Sequence, residues 1–385
     1  MTTQPPALPA GFPELRNGPP WLTEEMVAAE PGLVEPICRQ GGDAGAVADL
    51  VRRALAADEP VAVVGCGTSE HAAMAVAALL RDALGARERR GRMVASRQAF
   101  EAALDPWPGL CLAISHEAGT RATLAALDTA RARGAATALV TAAPDGPCAA
   151  RADQLVTTPL VDRAWCHTVG YLSPILAGAV IASRLSGNDL DAAALRQHLE
   201  RTSDAAASQA RPVAAALADT SVLECAGSGV DAITARELAL KVEEGVRRPA
   251  VGRDLETVLH GHLVARDRLA GLVVVATEPR ASERRLTRAA QLLAAATRIG
   301  VRTAAIVAAD APGTWAADAT TAGRLVVPRA PGVPPLLAAL AGSAMALQRL
   351  TLALVAAAGT NPDLIRREEM PYREAAVLAE SSFPG

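Results

Sequence analysis

The chain has 385 residues with formal net charge −3; half are hydrophobic, 21% are charged and 2% are aromatic. That balance describes a globular protein with apolar material for two cores, and a near-neutral charge argues against general nucleic-acid binding. The first residues lack the basic and apolar regions of a signal peptide. The six cysteines show no CxxC spacing, so the sequence reads as that of a cytoplasmic protein with free thiols.

Residues 1–20 are proline-bearing, without periodicity, and read as a flexible lead-in. Residues 21–57 carry a helical pattern. From there short β-branched runs alternate with alanine-rich helical segments. The expected strands are Pro60–Cys66, Leu110–Ser115, Ala136–Thr141 and Gln154–Thr158, then Ser221–Ala226, Leu272–Thr277, Arg302–Ala308 and Arg324–Pro328. Continuous apolar strands separated by helices are the pattern of parallel sheets buried on both faces. Each half therefore reads as a doubly wound α/β unit, residues 58–190 and 191–358, followed by a tail at 359–385. The apolar stretch near 334–358 contains Gln348 and Arg349 and reads as buried helix, not as a membrane span. The halves also match one another. Gly65 and Gly227, each ending a strand in a Gly-x-Gly turn, are 162 residues apart, and so are the strand ends Ser115 and Thr277. An equal offset is the mark of tandem duplication.

In such sheets ligands bind beyond the carboxyl ends of the strands. Two loops there are rich in small and hydroxyl residues: Gly65-Cys66-Gly67-Thr68-Ser69 and Ser115-His116-Glu117-Ala118-Gly119-Thr120. Neither is a Walker loop or a dinucleotide fingerprint, and a cradle for one phosphate or sugar fits them better. Farther along, on the helix expected over Thr234–Gly245, Glu237, Lys241 and Glu244 fall within about 60° of one another. Leu238, Val242 and Val246 form the opposite stripe. That arrangement also suits a solvated face with an i,i+4 ion pair. Yet Lys241 is the only lysine, the other 37 basic residues being arginine. An ammonium kept where arginine is the rule marks a place where the two are not interchangeable. Five of six histidines, His71, His116, His167, His260 and His262, fall in loop or strand-end motifs. No metal-ligand spacing accompanies them, and neither a metal nor a cofactor is expected.

Together these motifs resemble the sugar isomerase (SIS) domain family in its tandem form, as in the isomerase half of glucosamine-6-phosphate synthase and related deaminases and deglycases. Cys66-Gly67-Thr68-Ser69 is similar to the family's C-G-T-S loop, and Ser115 to Thr120 occupies the place of S-x-S-G-E-T. The segment ARELALKVEEG is similar to L-E-G-A-L-K-L-K-E, and Leu259-His260-Gly261 to K-H-G, 16 residues beyond Glu244. The resemblance spans about residues 45–375. It implies two flavodoxin-like domains and aldose–ketose interconversion, or isomerising deamination, of a sugar phosphate, with an amino-sugar phosphate as the expected class. Glu244 would shuttle a proton between C1 and C2, Lys241 would steady developing negative charge, and His260 would open the sugar ring. In the synthase that histidine comes from the neighbouring subunit, which implies a homodimer with shared sites. Cys66, Gly67, Thr68, Ser69, Ser115, His116, Glu117, Thr120, His167 and Arg366 would surround the phosphate and sugar. No nucleic-acid or membrane partner is implied.

Three departures stand out. Glu117 replaces a serine in the second loop, His167 replaces a small hydroxyl residue, and the tail beginning Asn361-Pro362-Asp363 keeps Arg366 but no lysine. Two other readings stay open, the first from the altered second loop, the second because the same enolamine intermediate can expel an amine. One is a non-catalytic sugar-phosphate sensor that regulates a partner. The other is a deglycase-type lyase acting on a sugar–amine conjugate.

Overall fold

The computed structural model describes residues 12–39, 41–86, 88–278, 283–311 and 315–381. Much of the expected lead-in therefore lies outside the described residues. The chain enters through α1 (Leu22–Ala29), α2 (Val34–Arg39) and α3 (Gly41–Ala56). The first sheet comprises β1 (Val61–Gly65), β2 (Val94–Gln98), β3 (Leu110–Ile114), β4 (Ala136–Thr141) and β5 (Gln154–Thr157). The second comprises β6 (Val222–Gly227), β7 (Ala250–Asp254), β8 (Ala270–Ala276), β9 (Arg302–Ala308) and β10 (Gly323–Val327). Strand orders are β2-β1-β3-β4-β5 and β10-β9-β8-β6-β7, every pairing parallel. Read from the same end, both sheets run 2-1-3-4-5. The chain is thus two copies of one doubly wound unit, as the duplicated glycine turns imply.

The sequence reading placed eight of these strands and missed two of the four edge strands, β2 and β7. Each of the two has a single buried position and carries Arg and Gln or Asp, so neither shows an apolar run. Edge strands are covered on fewer sides, and their composition follows that exposure.

Between the sheets lies a layer of helices shared by both halves: α3, α4 (Thr68–Ala83), α8 (Val169–Ser186), α9 (Ala192–Leu217), α10 (Asp231–Lys241) and α13 (Pro335–Ala358). Here α4 packs on α8, α9 on α13, and α10 touches both α4 and α13. One hydrophobic cluster runs from Met26 to Val355 through this layer, drawing on both halves. Two smaller clusters cover the outer faces, under α6 (Ala99–Leu104) and α7 (Arg121–Ala132) on one side and α11 (Leu255–Leu259) and α12 (Glu283–Arg298) on the other. With few aromatics, small residues let these helices approach closely, as where Val76 of α4 meets Gly178 of α8. Helices α8 and α13 are long and apolar enough to cross a membrane, but 78% of an apolar 18-residue stretch in each is buried inside the protein.

The tail ties the ends together. Asp363, fully buried, accepts hydrogen bonds from Leu22 N and Thr23 N (both 2.9 Å) and from Thr23 Oγ1 (2.8 Å), so it caps α1 from the far end of the chain. Its own carbonyl accepts from Trp165 N at 2.8 Å.

Candidate functional site

The turn after β1 brings α4 back at very short range. A Cβ on Gly65 would stand 2.3 Å from the Ser69 carbonyl oxygen, and Gly67 takes φ 55°, ψ −127°, a conformation open in practice to glycine alone. Thr68 therefore begins α4 and faces the C-terminal turn of α10. That turn is unusual: α10 ends at Lys241 and continues as a π-turn over Val242–Val246, closed by Arg247 in the left-handed region at φ 60°. Such wide turns recur at functional sites, and this one carries Glu244.

The two elements meet in a buried polar cluster. Lys241 Nζ donates to Glu244 Oε2 at 2.5 Å and to Thr68 Oγ1 at 2.9 Å, and lies 3.5 Å from Glu237 Oε1. Glu237 Oε2 lies 2.6 Å from His71 Nδ1. Lys241 is 1% exposed and Glu237 wholly buried, so the solvated-face reading of this helix is corrected. The helix lies in the shared layer, with its apolar stripe on its own sheet and its polar stripe against α4. Glu237 and Lys241 are closed to water, while Arg236 and Glu244 stay partly exposed.

Burial dominates the electrostatics. It pushes the Glu244 carboxyl above the usual carboxylate range, against the pull of Lys241. Burial alone would lower the Lys241 ammonium, but Glu244 and Glu237 raise it well above its ordinary value. For Glu237, burial is outweighed by Lys241 and His71, and its carboxyl is held low. The cluster thus holds a firm cation, a firm carboxylate and a second carboxylate whose proton affinity is raised, as a general base requires. Cys166 packs here too, within about 3.6 Å of where a Gly245 Cβ would stand.

A second group lies at the end of β3. Ser115 is buried and its hydroxyl has no conventional hydrogen-bond partner. Ala118 adopts φ 52°, which turns the loop so that Thr120 heads α7. His116 points inward: its Nε2 accepts from Asp162 N at 2.8 Å, and burial lowers its pKa to about 4. It organises the 162–170 segment and does not face an opening. Asp162 in turn accepts from Thr168 N and Gly170 N, and burial raises its carboxyl to about 7. His167 is partly open, 5.4 Å between ring centroids from His116, with Nε2 3.7 Å from Glu117 Oε1. Burial first, then His116 and Lys241, lower it to about 3. The group is neutral imidazole beside an exposed carboxylate.

The other expected residues are placed as follows. Cys66 is half-buried and accepts weakly from Gln98 Nε2, while Gly67 and Thr120 are exposed. Ser69 is half-buried, with its side chain unbonded among the described residues. Arg366 stacks over Tyr372 at 4.0 Å, bonds Glu369 at 2.9 Å, and shares a cavity of about 450 Å³ with Glu244 and Arg247. His260 stands apart: its side chain is 75% exposed and paired with Glu256 at 3.1 Å, with no bond to Lys241 or Glu244. The sequence reading assigned no role to Asp162 or Cys166 and left Glu237 and His71 out of the site. The signals for the last two were the register of Glu237 beside Lys241 and the loop setting of His71; their pairing across 166 residues is not reported by any local pattern. Among the described residues, no three His, Cys, Asp or Glu side chains converge as a metal site would need.

No protein-family model and no curated protein matches the chain. Solved structures do. The C-terminal domain of glucosamine-fructose-6-phosphate aminotransferase from Francisella tularensis is 17% identical, with TM-score 0.76 over 91% of this chain and 99% of that one. Tagatose-6-phosphate ketose/aldose isomerase from Escherichia coli is 17% identical, with TM-score 0.73 over 92% and 97%. Glucosamine-6-phosphate deaminase from Thermotoga maritima is 15% identical, with TM-score 0.64 over 89% and 96%. With its two five-stranded parallel sheets and their common strand order, the chain has the tandem sugar isomerase (SIS) fold.

Proposed function

We propose that the chain catalyses aldose–ketose isomerisation, or isomerising deamination, of a sugar phosphate, with an amino-sugar phosphate as the favoured class. The buried contact of Lys241 with Glu244 and Thr68, at the junction of the two halves, carries this reading. A protein that only bound sugar would gain nothing from burying a carboxylate with raised proton affinity beside a cation. Glu244 takes the proton from C2 and returns it at C1, and Lys241 faces the oxygen on which charge develops. Thr68, Ser69, Ser115 and Thr120 line the cradle for the phosphate, and Arg366 closes the outer side. The exposed His260 suits a ring-opening role in a partner's site, and we propose a homodimer with shared sites. The structural neighbours named for ketose/aldose isomerisation and deamination support the same reaction class.

The test is deuterium wash-in at C2 of hexose and hexosamine phosphates. Wild-type protein should exchange, and Glu244→Gln should lower the rate by about 10³-fold. No exchange with any of them would overturn the proposal. The altered second loop, with Glu117 where the resembled motif has serine, favours a second reading, a non-catalytic sugar-phosphate sensor. A Glu244→Gln chain that replaces wild type fully in cells would select it.

A further inference from the structure

The reaction proposed above leaves one transfer without an agent. Moving hydrogen from C2 to C1 also requires a hydroxyl proton to pass from O2 to O1, and Glu244 cannot hold both protons at once. His71 lies in the first turns of α4, three residues from Thr68, whose Oγ1 accepts from Lys241 Nζ. Its Nδ1 is 2.6 Å from the wholly buried Glu237. Glu237 also reaches Thr68 Oγ1 at 3.3 Å and Lys241 at 3.5 Å. The carboxylate therefore orients the imidazole and the lysine together. With Glu237 ionised, Nδ1 carries the imidazole proton, and Nε2 is left as the acceptor. Nε2 has no hydrogen bond among the described residues, and the side chain is 15% exposed, at the rim of the polar cluster and not inside it. A nitrogen base oriented by a buried carboxylate, next to a second acid–base group, is the constellation that proton shuttles use.

We propose that His71, oriented by Glu237, carries the hydroxyl proton between O2 and O1 while Glu244 carries the carbon-bound one. This rests on the isomerase reading of the site. Glu244 takes the proton from C2 of the open-chain aldose, and the C1 carbonyl oxygen becomes the enediolate oxygen facing Lys241. His71 Nε2 takes the proton from O2, and the imidazolium returns it to O1. Glu244 delivers its proton to C1, leaving a C2 ketone and both side chains in their starting states. All of these groups belong to one chain.

The experiment separates the two proton paths in D2O by NMR, with glucose 6-phosphate, whose C2 carries the hydroxyl the shuttle needs, for both rates and glucosamine 6-phosphate for wash-in alone. Abstraction and return at C2 needs Glu244 alone. His71→Asn, whose amide can still meet Glu237, should keep C2 wash-in within about threefold of wild type while ketose formation falls at least about 100-fold. His71→Gln should behave alike, and in His71→Gly added imidazole should restore ketose formation without changing wash-in. Equal loss of both rates, or loss of neither, would overturn the shuttle while leaving the isomerase reading intact. Absence of wash-in from wild type with both sugars would overturn the isomerase reading, and the shuttle with it.

Discussion

The two halves use the same turn to opposite ends. After β1 and after β6 a glycine lets the following helix approach its strand: a Cβ would meet the Ser69 oxygen at 2.3 Å in one and the Asp231 oxygen at 2.4 Å in the other. Ser69 and Asp231 are equivalent by the 162-residue offset, and so are Ser115 and Thr277. In the second half Asp231 fills the space. It accepts from Thr277 N (2.9 Å), Thr277 Oγ1 (2.7 Å) and Glu278 N (3.2 Å). In the first half a short hydroxyl stands there, and the Ser115 hydroxyl is left unpaired. One copy has satisfied its donors internally. The other keeps them for something else, while the closed copy contributes the helix bearing Lys241. On the proposed function, the first half would form the cradle and add His71, and the second would supply Lys241 and Glu244.

The comparison can be broken most directly by closing the open half. Ser69→Asp should place a carboxylate by Ser115 as Asp231 is placed by Thr277. It should lower affinity for phosphosugars by at least about 100-fold while the protein stays folded, read by titration calorimetry and circular dichroism. The converse, Asp231→Ser, leaves buried donors unmatched and should cost about 2–3 kcal/mol, read as a lower urea midpoint at unchanged slope.

A smaller effect concerns pH. Each half buries an aspartate whose carboxyl is raised by desolvation, Asp162 to about 7 and Asp231 to about 6, from an ordinary 3.8. The folded state binds these protons more tightly than the unfolded chain. Stability is therefore greatest below pH 4 as far as these groups are concerned, and falls as pH rises to about 7. Asp162→Asn should flatten the upper part of that fall, between about pH 6 and 7, in melting temperatures across a buffer series.

Much of the fold was legible because buried parallel strands are written as uninterrupted apolar runs, and Val61–Gly65 and Arg302–Ala308 are examples. Val94–Gln98 and Ala250–Asp254 were not, since these two edge strands carry Arg and Gln or Asp where the other edges, Gln154–Thr157 and Gly323–Val327, keep an apolar run. Lys241 was legible through scarcity of its type, and Glu244 through its register on the same helix. Glu237 was misjudged for a physical reason: a helical wheel assumes one face in water, whereas here Glu237 and Lys241 are closed to water. The pairing of His71 with Glu237 joins residues 166 apart. It depends on how two domains pack, which periodicity within either domain does not encode.

The burial of Lys241 has a consequence for the chemistry the protein itself can undergo. Open-chain sugars are aldehydes and ketones, and they condense slowly with exposed ε-amines. The single lysine is 1% exposed, so the folded chain offers them no lysine side chain at its surface. The same seclusion makes the residue a reporter. Acylation of Lys241 by an amine-reactive label therefore reports access to the buried cluster, and a sugar phosphate bound in the site should slow it.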